Sequence, residues 1–312
     1  MKELWIILGV LIGVLLLVIL TAYICFRIAF FVPKKDKEQS EQFKLPEGDG
    51  FLPYHDLIKS WHDKLTSLPF EEVSIKTFDG LTLYARYYEC QKGAPIELMF
   101  HGYRGTAQRD LCGGIQRSFA LKRNVLLVDQ RASSKSEGNV ITFGIKESKD
   151  CLCWVHYLVE RFGQDCKIIM TGISMGATTV MLASASENLP KNVVGVIADC
   201  GFSEPKGVIK LFIKKMKLPP NFFYPFVRLG AWLFAGIDIE NDTALNAMKT
   251  CKVPIIFFHG EEDDIVLYED SVACYNACIA PKRLVSVPNA GHGLSYIVAP
   301  ELYLKVIDNL KS

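Results

Sequence analysis

Six short apolar runs, separated by stretches long enough for helices, dominate the chain from residue 95 onward. The runs are Ile96–Phe100, Val125–Val128, Ile168–Thr171, Val193–Ala198, Val253–Phe258 and Leu284–Val287. Strands that alternate with helices pair in parallel, and a parallel sheet buried on both faces has strands that are apolar throughout. The sequence therefore predicts an α/β domain whose mostly parallel central sheet is covered by helices on both faces.

Three further patterns predict local structure around this sheet. Leu57, Trp61 and Leu65 fall four residues apart, which predicts a short amphipathic helix over one side of the core. Asp79-Gly80 lies between the alternating runs VSIKTF and LTLYARYY and predicts a β-hairpin. The run ESKDCLCWVHYLVERF repeats its apolar residues at helical spacing and predicts a helix packed on the sheet.

The N-terminal run Leu4–Phe26 carries no charged residue. As a helix it would be about 35 Å long, enough to cross a hydrocarbon core of about 30 Å. Residues 23–27 are too bulky for the cleavage site of a signal peptide, so an uncleaved, single-pass anchor over residues 1–32 is favoured. Basic residues are denser after the run than before it, which favours a cytoplasmic domain, but short N-terminal anchors often export the domain attached to them. The side of the membrane stays open.

The rest of the chain divides into a short linker and one large domain. Residues 33–50 are polar and charged and predict a solvated linker that lifts the domain off the bilayer. Residues 51–312 are then a single domain. Within it, residues 203–242 are rich in aromatic residues and prolines and are longer than a simple crossover, which predicts an inserted helical cap.

Composition narrows the function classes. A formal net charge of +1 gives no reason to expect a nucleic-acid partner. The ten cysteines are scattered through apolar stretches, as expected for reduced core residues. Cys151 and Cys153 lie two residues apart on a predicted helix, so their side chains face different directions. This spacing favours ordinary packing over metal binding. We expect no metal and no cofactor.

The segment Gly172-Ile173-Ser174-Met175-Gly176 lies directly between a predicted strand and a predicted helix. A serine on such a sharp turn needs glycines nearby, because a side chain at either position would collide with the backbone. The helix after the turn directs its N–H groups and positive dipole end at any anion forming beside the serine. The pattern predicts Ser174 as a nucleophile.

A nucleophilic serine requires a base and a third group that orients the base. His292 lies in the glycine-flanked loop after the last predicted strand, and Asp263 lies just after the strand before it. Both are favoured as triad members. The rivals for the acid are Glu261, Glu262 and Asp264, while His101 and His259 are favoured as structural residues and His55, His62 and His156 as surface or core residues on helices.

The order Ser, acid, His resembles that of the alpha/beta-hydrolase superfamily, near its esterase and serine-peptidase-like branches, over roughly residues 70–312. The resemblance implies that the loop His101–Gly105 is the oxyanion loop, with the backbone N–H groups of Tyr103 and Met175 as donors. The chain departs from the family where Ser133-Ser134 stand in place of a Gly-His pair, which leaves the packing of that loop open. For Arg104, a solvated side chain is favoured over a contact with a substrate carboxylate.

The implied reaction is acyl transfer to water from a small-molecule or lipid-like ester, or from a peptide. The aromatic insertion suggests an apolar acyl pocket, against the alternative that its side chains only pack on the sheet. A peptidase or acyltransferase would use the same three residues. A non-catalytic binding protein on the same scaffold is the alternative from another class.

Overall fold

A computed structural model describes residues 1–34, 36–37, 43–308 and 310 of the chain. The strands are β1 (Glu71–Lys76), β2 (Thr82–Tyr88), β3 (Ile96–Phe100), β4 (Asn124–Asp129), β5 (Ile168–Ile173), β6 (Val193–Asp199), β7 (Ile255–Gly260) and β8 (Lys282–Val287). The helices are α1 (Lys2–Ala29), α2 (His55–Ser67), α3 (Ala107–Asp110), α4 (Cys112–Ala120), α5 (Ile145–Phe162), α6 (Met175–Ser184), α7 (Pro205–Lys215), α8 (Pro220–Gly230), α9 (Ala244–Met248), α10 (Tyr268–Ala277), α11 (Ser295–Val298) and α12 (Pro300–Ile307). A 3₁₀ turn spans Asp49–Tyr54, and a π-helical turn spans Ala231–Ala235.

The strands form one sheet in the order β1-β2-β4-β3-β5-β6-β7-β8. β1 and β2 are the predicted antiparallel hairpin, closed where Gly80 adopts a positive φ of 87°. β2 also pairs antiparallel with β4, and every pairing from β4 to β8 is parallel. All six predicted runs are strands, which confirms the mostly parallel sheet and brings the carboxyl ends of β3 to β8 to one edge.

Neighbouring residues of the central strands face opposite layers of helices. Leu98 and Met170 pack with the α5 residue Trp154, in the core that also contains α6. On the other face, Met99 packs with α2 and α4, and Ile169 packs with α12. The sheet is therefore covered on both faces, and the predicted helices around Trp61 and over the ESKDCLCWVHYLVERF run are α2 and α5.

The predicted insertion at residues 203–242 contains α7, α8 and the π-helical turn. It packs on the last turns of α1 rather than only on the sheet, with Phe26 and Phe30 buried in the same cluster as Val227 and Ala231. Most of α1 before these turns is exposed, and the helix is long and apolar enough to cross a membrane.

The chain on either side of the predicted linker, residues 33–50, contacts the domain where the structure describes it. Phe30 is fully buried, and Phe31 forms a β-bridge with Val140, so the end of α1 runs directly into the domain. At the other end of the polar segment, Phe43 and Leu45 pack against the α2 cluster. Residues 35 and 38–42 lie outside the described part. Between these ends, the Lys37 ammonium donates to the backbone carbonyls of Ser136 and Gly138, so this charged residue also contacts the domain.

Candidate active site

Ser174 lies on the sharp turn between β5 and α6, with φ 55° and ψ −120°. The two flanking glycines are required there. A Cβ at Gly172 would come 2.0 Å from the carbonyl oxygen of Gly176, and a Cβ at Gly176 would come 2.1 Å from that of Phe100. The predicted steric reason for the Gly-x-Ser-x-Gly pattern thus holds, and the turn presents the serine at the carboxyl edge of the sheet.

The structure brings the three predicted triad side chains into one hydrogen-bonded chain. His292 Nε2 lies 2.9 Å from Ser174 Oγ, and His292 Nδ1 lies 2.7 Å from Asp263 Oδ2. Because an ionised carboxylate can only accept, Nδ1 carries the proton and Nε2 is left to accept from the serine hydroxyl. This is the arrangement that a general base needs.

Asp263 is held in place by more than His292. Its Oδ1 accepts from the backbone N–H groups of Ile265 and Val266, each at 2.9 Å. Burial by itself would raise the pKa of the Asp263 carboxyl, but the hydrogen bonds with His259 and His292 outweigh it and hold this pKa well below its ordinary value. The carboxylate is therefore ionised at neutral pH and can stabilise an imidazolium on His292.

The rival carboxylates are exposed, and the other histidines have their own hydrogen-bond partners or lie on helices. The Asp264 side chain is 80% exposed and pairs with Lys215 at 3.1 Å, and Glu261 and Glu262 are exposed. His259 is buried, with Nδ1 2.7 Å from Ser271 Oγ and Nε2 2.9 Å from the Val266 carbonyl. His101 accepts at Nε2 from the Gln130 N–H and donates at Nδ1 to the Gly102 carbonyl; burial lowers the pKa of its imidazole. The remaining histidines, His55, His62 and His156, lie on α2 and α5, as predicted.

The predicted oxyanion loop approaches the serine from β3. A Cβ at Gly102 would lie 3.5 Å from Ser174 Cβ, so this backbone passes close to the serine. Asp110 accepts the Gly102 N–H at 3.0 Å and holds the start of the loop. On the other side, Met175 is the first residue of α6, so its N–H has no acceptor within the helix. The loop and the helix start thus border the same space beside Ser174 Oγ.

The side chains of the oxyanion loop contact α1. Tyr103 donates its hydroxyl to the Ala29 carbonyl at 2.8 Å. The Arg104 guanidinium donates to the carbonyls of Ile28 at 2.9 Å and Phe31 at 3.1 Å. A cation at these carbonyls also complements the negative end of the α1 dipole. Arg104 is exposed, in agreement with the predicted solvated side chain, but its guanidinium also binds the end of α1, a contact that no pattern in the sequence marks.

The loop after β4, where the chain departs from the hydrolase pattern, is well packed. Ser133 donates its hydroxyl to the Gly105 carbonyl at 2.9 Å, which ties this loop to the oxyanion loop. Ser136 donates to the Asp129 carbonyl, and Arg131 forms a buried ion pair with Asp150. The serines at 133 and 134 thus do not leave the loop unsupported.

Ser174 and His292 open into a cavity of about 450 Å³. Its apolar walls include Ile58, Trp61, Phe143, Phe202, Val208, Phe212, Ile265 and Ile297. From the aromatic insertion only Phe212 lines the cavity, whereas Phe226 packs with the cluster at the end of α1 and Phe222 is exposed. Residues of α2, the loop before α5 and the start of the cap are among these walls. The aromatic residues of the insertion therefore form only a small part of the pocket that they were predicted to line.

Two polar residues that line the cavity, Arg117 and Thr171, belong to a buried ion network around Glu97. Glu97 is fully buried and accepts from Arg117 at 2.5 Å, from Ser118 at 2.6 Å and from Thr171 at 2.8 Å. Burial opposes ionisation of Glu97, but Arg117 and Arg123 hold its pKa below the ordinary value. Because the charges compensate one another, the network can border the cavity without leaving the buried Glu97 carboxylate unpaired.

Among the described residues, one cluster has metal-ligand chemistry: the ligand atoms of Cys200, Asp263 and His292 lie within 4.8 Å of one another. Asp263 and His292 already bind each other. Burial raises the pKa of the Cys200 thiol well above its ordinary value, so the thiol is protonated at neutral pH and is a poor ligand. The donor set fits a triad better than a metal site.

Three kinds of comparison place this geometry among known proteins. No family model matches the chain. It is 27% identical to protein bem46 of Schizosaccharomyces pombe over 72% of each chain. It is 25% identical to the Bacillus subtilis protein YqkD over 59% of this chain, and the match spans 60% of that relative's length.

Solved structures give the fuller match. The Pyrococcus furiosus esterase Pf2001 superposes with a TM-score of 0.64 at 23% identity, over 86% of this chain and 98% of the esterase. At this level of identity the likeness establishes architecture. Together with the strand order and the serine turn between β5 and α6, it shows that the chain has the alpha/beta-hydrolase fold, preceded by an apolar helix of membrane-spanning length.

Proposed function

We propose that this chain is a membrane-anchored serine hydrolase that cleaves an ester through an acyl-enzyme intermediate. The observation that carries the proposal is the continuous hydrogen-bonded chain from Ser174 through His292 to Asp263 at the wall of the cavity. The name of the similar Pyrococcus furiosus protein, an esterase, agrees with it. The anchor is α1, whose apolar surface is exposed over most of its length.

The proposed reaction has two half-reactions, acylation and deacylation, and each residue has a defined role in them. His292 Nε2 takes the hydroxyl proton as Ser174 Oγ attacks the ester carbonyl, and Asp263 stabilises the imidazolium that results. The N–H groups of Tyr103 and Met175 stabilise the tetrahedral oxyanion. His292 then protonates the leaving alcohol oxygen and the acyl group remains on Ser174. In the second half-reaction His292 takes a proton from water, the hydroxide displaces the acyl group as a carboxylic acid, and Ser174 recovers its proton.

The apolar walls support an acyl group longer than acetyl as the preferred substrate part. Trp61, Phe143 and Val208 offer contacts for a hydrocarbon chain, at about 0.8 kcal/mol for each buried methylene. We therefore expect kcat/KM for p-nitrophenyl esters to rise with acyl length from acetate onward. An acetate ester cleaved as well as longer esters would contradict the apolar acyl pocket and leave the triad untouched.

Labelling of the full chain in detergent with a fluorophosphonate probe tests the nucleophile. We expect labelling and ester hydrolysis in the natural protein and in Ser67→Ala, a control whose serine lies at the exposed end of α2. Ser174→Ala should lose both. Equal labelling of a folded Ser174→Ala variant would contradict the nucleophile. A folded natural protein that is not labelled would favour a binding role for the same pocket. Cleavage of peptide anilides in addition to esters would favour a peptidase.

A further inference from the structure

The π-helical turn directly after α8 exposes three consecutive apolar residues: Trp232, Leu233 and Phe234. We call this segment the apolar turn. Trp232 is 64% exposed, and Leu233 and Phe234 are about two-fifths exposed, at 42% and 38%. A wide π-helical turn lets successive side chains splay outward, and Gly236, with φ 66°, ends it. Exposing contiguous apolar side chains to water is unfavourable in free energy, so a patch of this kind indicates a binding surface.

The position of the apolar turn relative to α1 identifies that partner. A Cβ at Gly230 would lie 2.5 Å from the Ala22 carbonyl oxygen, so the two helix backbones touch there. The Phe234 ring centroid lies 5.2 Å from that of Tyr23 and 5.4 Å from that of Phe26. The apolar turn therefore lies level with residues 22–26 of α1.

Residues 22–26 are the last part of the uncharged run, and Arg27 is the first charge after it. The run is about 35 Å long as a helix and exceeds a hydrocarbon core of about 30 Å by roughly one turn. Its last turn accordingly falls in the interfacial zone of the bilayer. Tyrosine and tryptophan concentrate in that zone because their rings are apolar and their polar groups reach water.

We propose that the apolar turn is a second membrane contact, inserted into the interfacial zone of the leaflet in which α1 ends. The partner is the lipid bilayer itself. The proposal rests on the proposed membrane span and adds an orientation. Because α1 packs on α8, any tilt of α1 carries the domain with it, and a second contact fixes that tilt and holds the cap against the bilayer surface. Because α7 packs on α8 and carries the cavity residues Val208 and Phe212, the cap wall of the cavity then lies near the lipid.

Tryptophan quenching by brominated lipids in phosphatidylcholine vesicles tests this on the full chain. The reporter carries Trp5→Phe and Trp61→Phe, which leaves Trp232 and the fully buried Trp154. Adding Trp232→Phe gives the Trp154 background. We expect loss of most of the Trp232 emission, and a greater loss with bromine near the headgroup than with bromine near the chain end.

Two controls keep the result interpretable. A chain that retains Trp5 and Trp154 reports insertion of α1 independently. Ile279→Trp, in the Trp232→Phe background, introduces a tryptophan at a residue that is 66% exposed and precedes β8, at the sheet edge opposite the active site. If Trp5 is quenched but Trp232 is quenched no more than the Ile279→Trp reporter, the apolar turn faces water or a second copy and the proposal is wrong. If neither Trp5 nor Trp232 is quenched, both the span and the second contact are wrong.

Discussion

The candidate site has two halves that are held in place differently: the first half is the set of three candidate triad side chains, and the second half is the oxyanion loop. Ser174, His292 and Asp263 lie just after β5, β8 and β7, and their hydrogen bonds stay within the domain. The oxyanion loop is held by the domain at Gly102, through Asp110, and at Gly105, through Ser133, whereas its Tyr103 and Arg104 side chains bind the end of α1.

This difference assigns α1 a part in the site in addition to the proposed membrane span. Three backbone carbonyls of the segment from Ile28 to Phe31 accept hydrogen bonds from the loop that carries the Tyr103 N–H. A change in the first half should therefore act on the triad chemistry alone. A change at the α1 contact should act on transition-state stabilisation, because the oxyanion forms only after attack.

Among variants that affect only one half of the site, Asp263→Asn in the first half is expected to have the largest effect on kcat. The amide keeps the shape but can donate a hydrogen to Nδ1, which favours the wrong tautomer of His292 and withdraws the negative charge. We expect kcat to fall by about 10³–10⁴ while the protein stays folded, as found when the acid of such triads is changed. Steady-state ester hydrolysis measures it, with Asp264→Asn as the matched control because that side chain is exposed and pairs with Lys215. Activity of Asp263→Asn within a few-fold of the natural protein would remove Asp263 from the triad.

A smaller effect is expected from Gly176→Ala, which tests how rigidly the first half is packed. The new Cβ would lie 2.1 Å from the Phe100 carbonyl oxygen, so α6 must move away from β3. We expect a loss of about 1–3 kcal/mol in the free energy of unfolding, with a fall in Tm of several degrees. Gly207→Ala is the control, since a Cβ there meets nothing within 4 Å in α7 and should leave Tm equal or slightly higher. Equal Tm values for Gly176→Ala and the natural protein would show that the turn can relax.

The first half of the site was predictable from sequence because each member has a local signal. The serine turn needs Gly172 and Gly176, and the strands beside it are short apolar runs. Both the sheet and the three candidate triad residues are therefore marked by patterns a few residues long. The parallel sheet then brings residues far apart in sequence to one edge. His292 and Ser174 are separated by 118 positions, yet both lie just after strands of that sheet.

The second half was predictable only in part. The contact between Tyr103 and Ala29 spans 74 positions and uses a main-chain carbonyl, which every residue has, so no residue type marks it. Asp110 lacks a signal for the same reason, since it binds a backbone N–H. In the cap, Phe212 lines the cavity and Phe234 lies beside α1 although both are the same residue type in the same insertion. Only the packing of α1 on α8 distinguishes them.

Arg104→Gln tests the second half directly and is expected to have the smallest of these effects. The variant loses the charge-assisted bonds to Ile28 and Phe31, so the oxyanion loop is held less firmly. We expect kcat to fall about tenfold, equivalent to about 1.4 kcal/mol, with KM nearly unchanged. Tyr103→Phe, which removes only the bond to Ala29, should have a weaker effect of the same kind.

Arg228→Gln is the matched control for Arg104→Gln, because it removes the same charge from an exposed arginine that pairs with Asp238 and Glu240 on the cap. It should leave kcat unchanged. If Arg104→Gln instead raises KM with kcat unchanged, the guanidinium contributes to substrate binding, and the loop does not need α1. A fall in kcat that is restored by Arg104→Lys would mean that a cation at the end of α1 is sufficient. A fall that persists in Arg104→Lys would mean that an ammonium cannot replace the single guanidinium nitrogen that donates to both carbonyls.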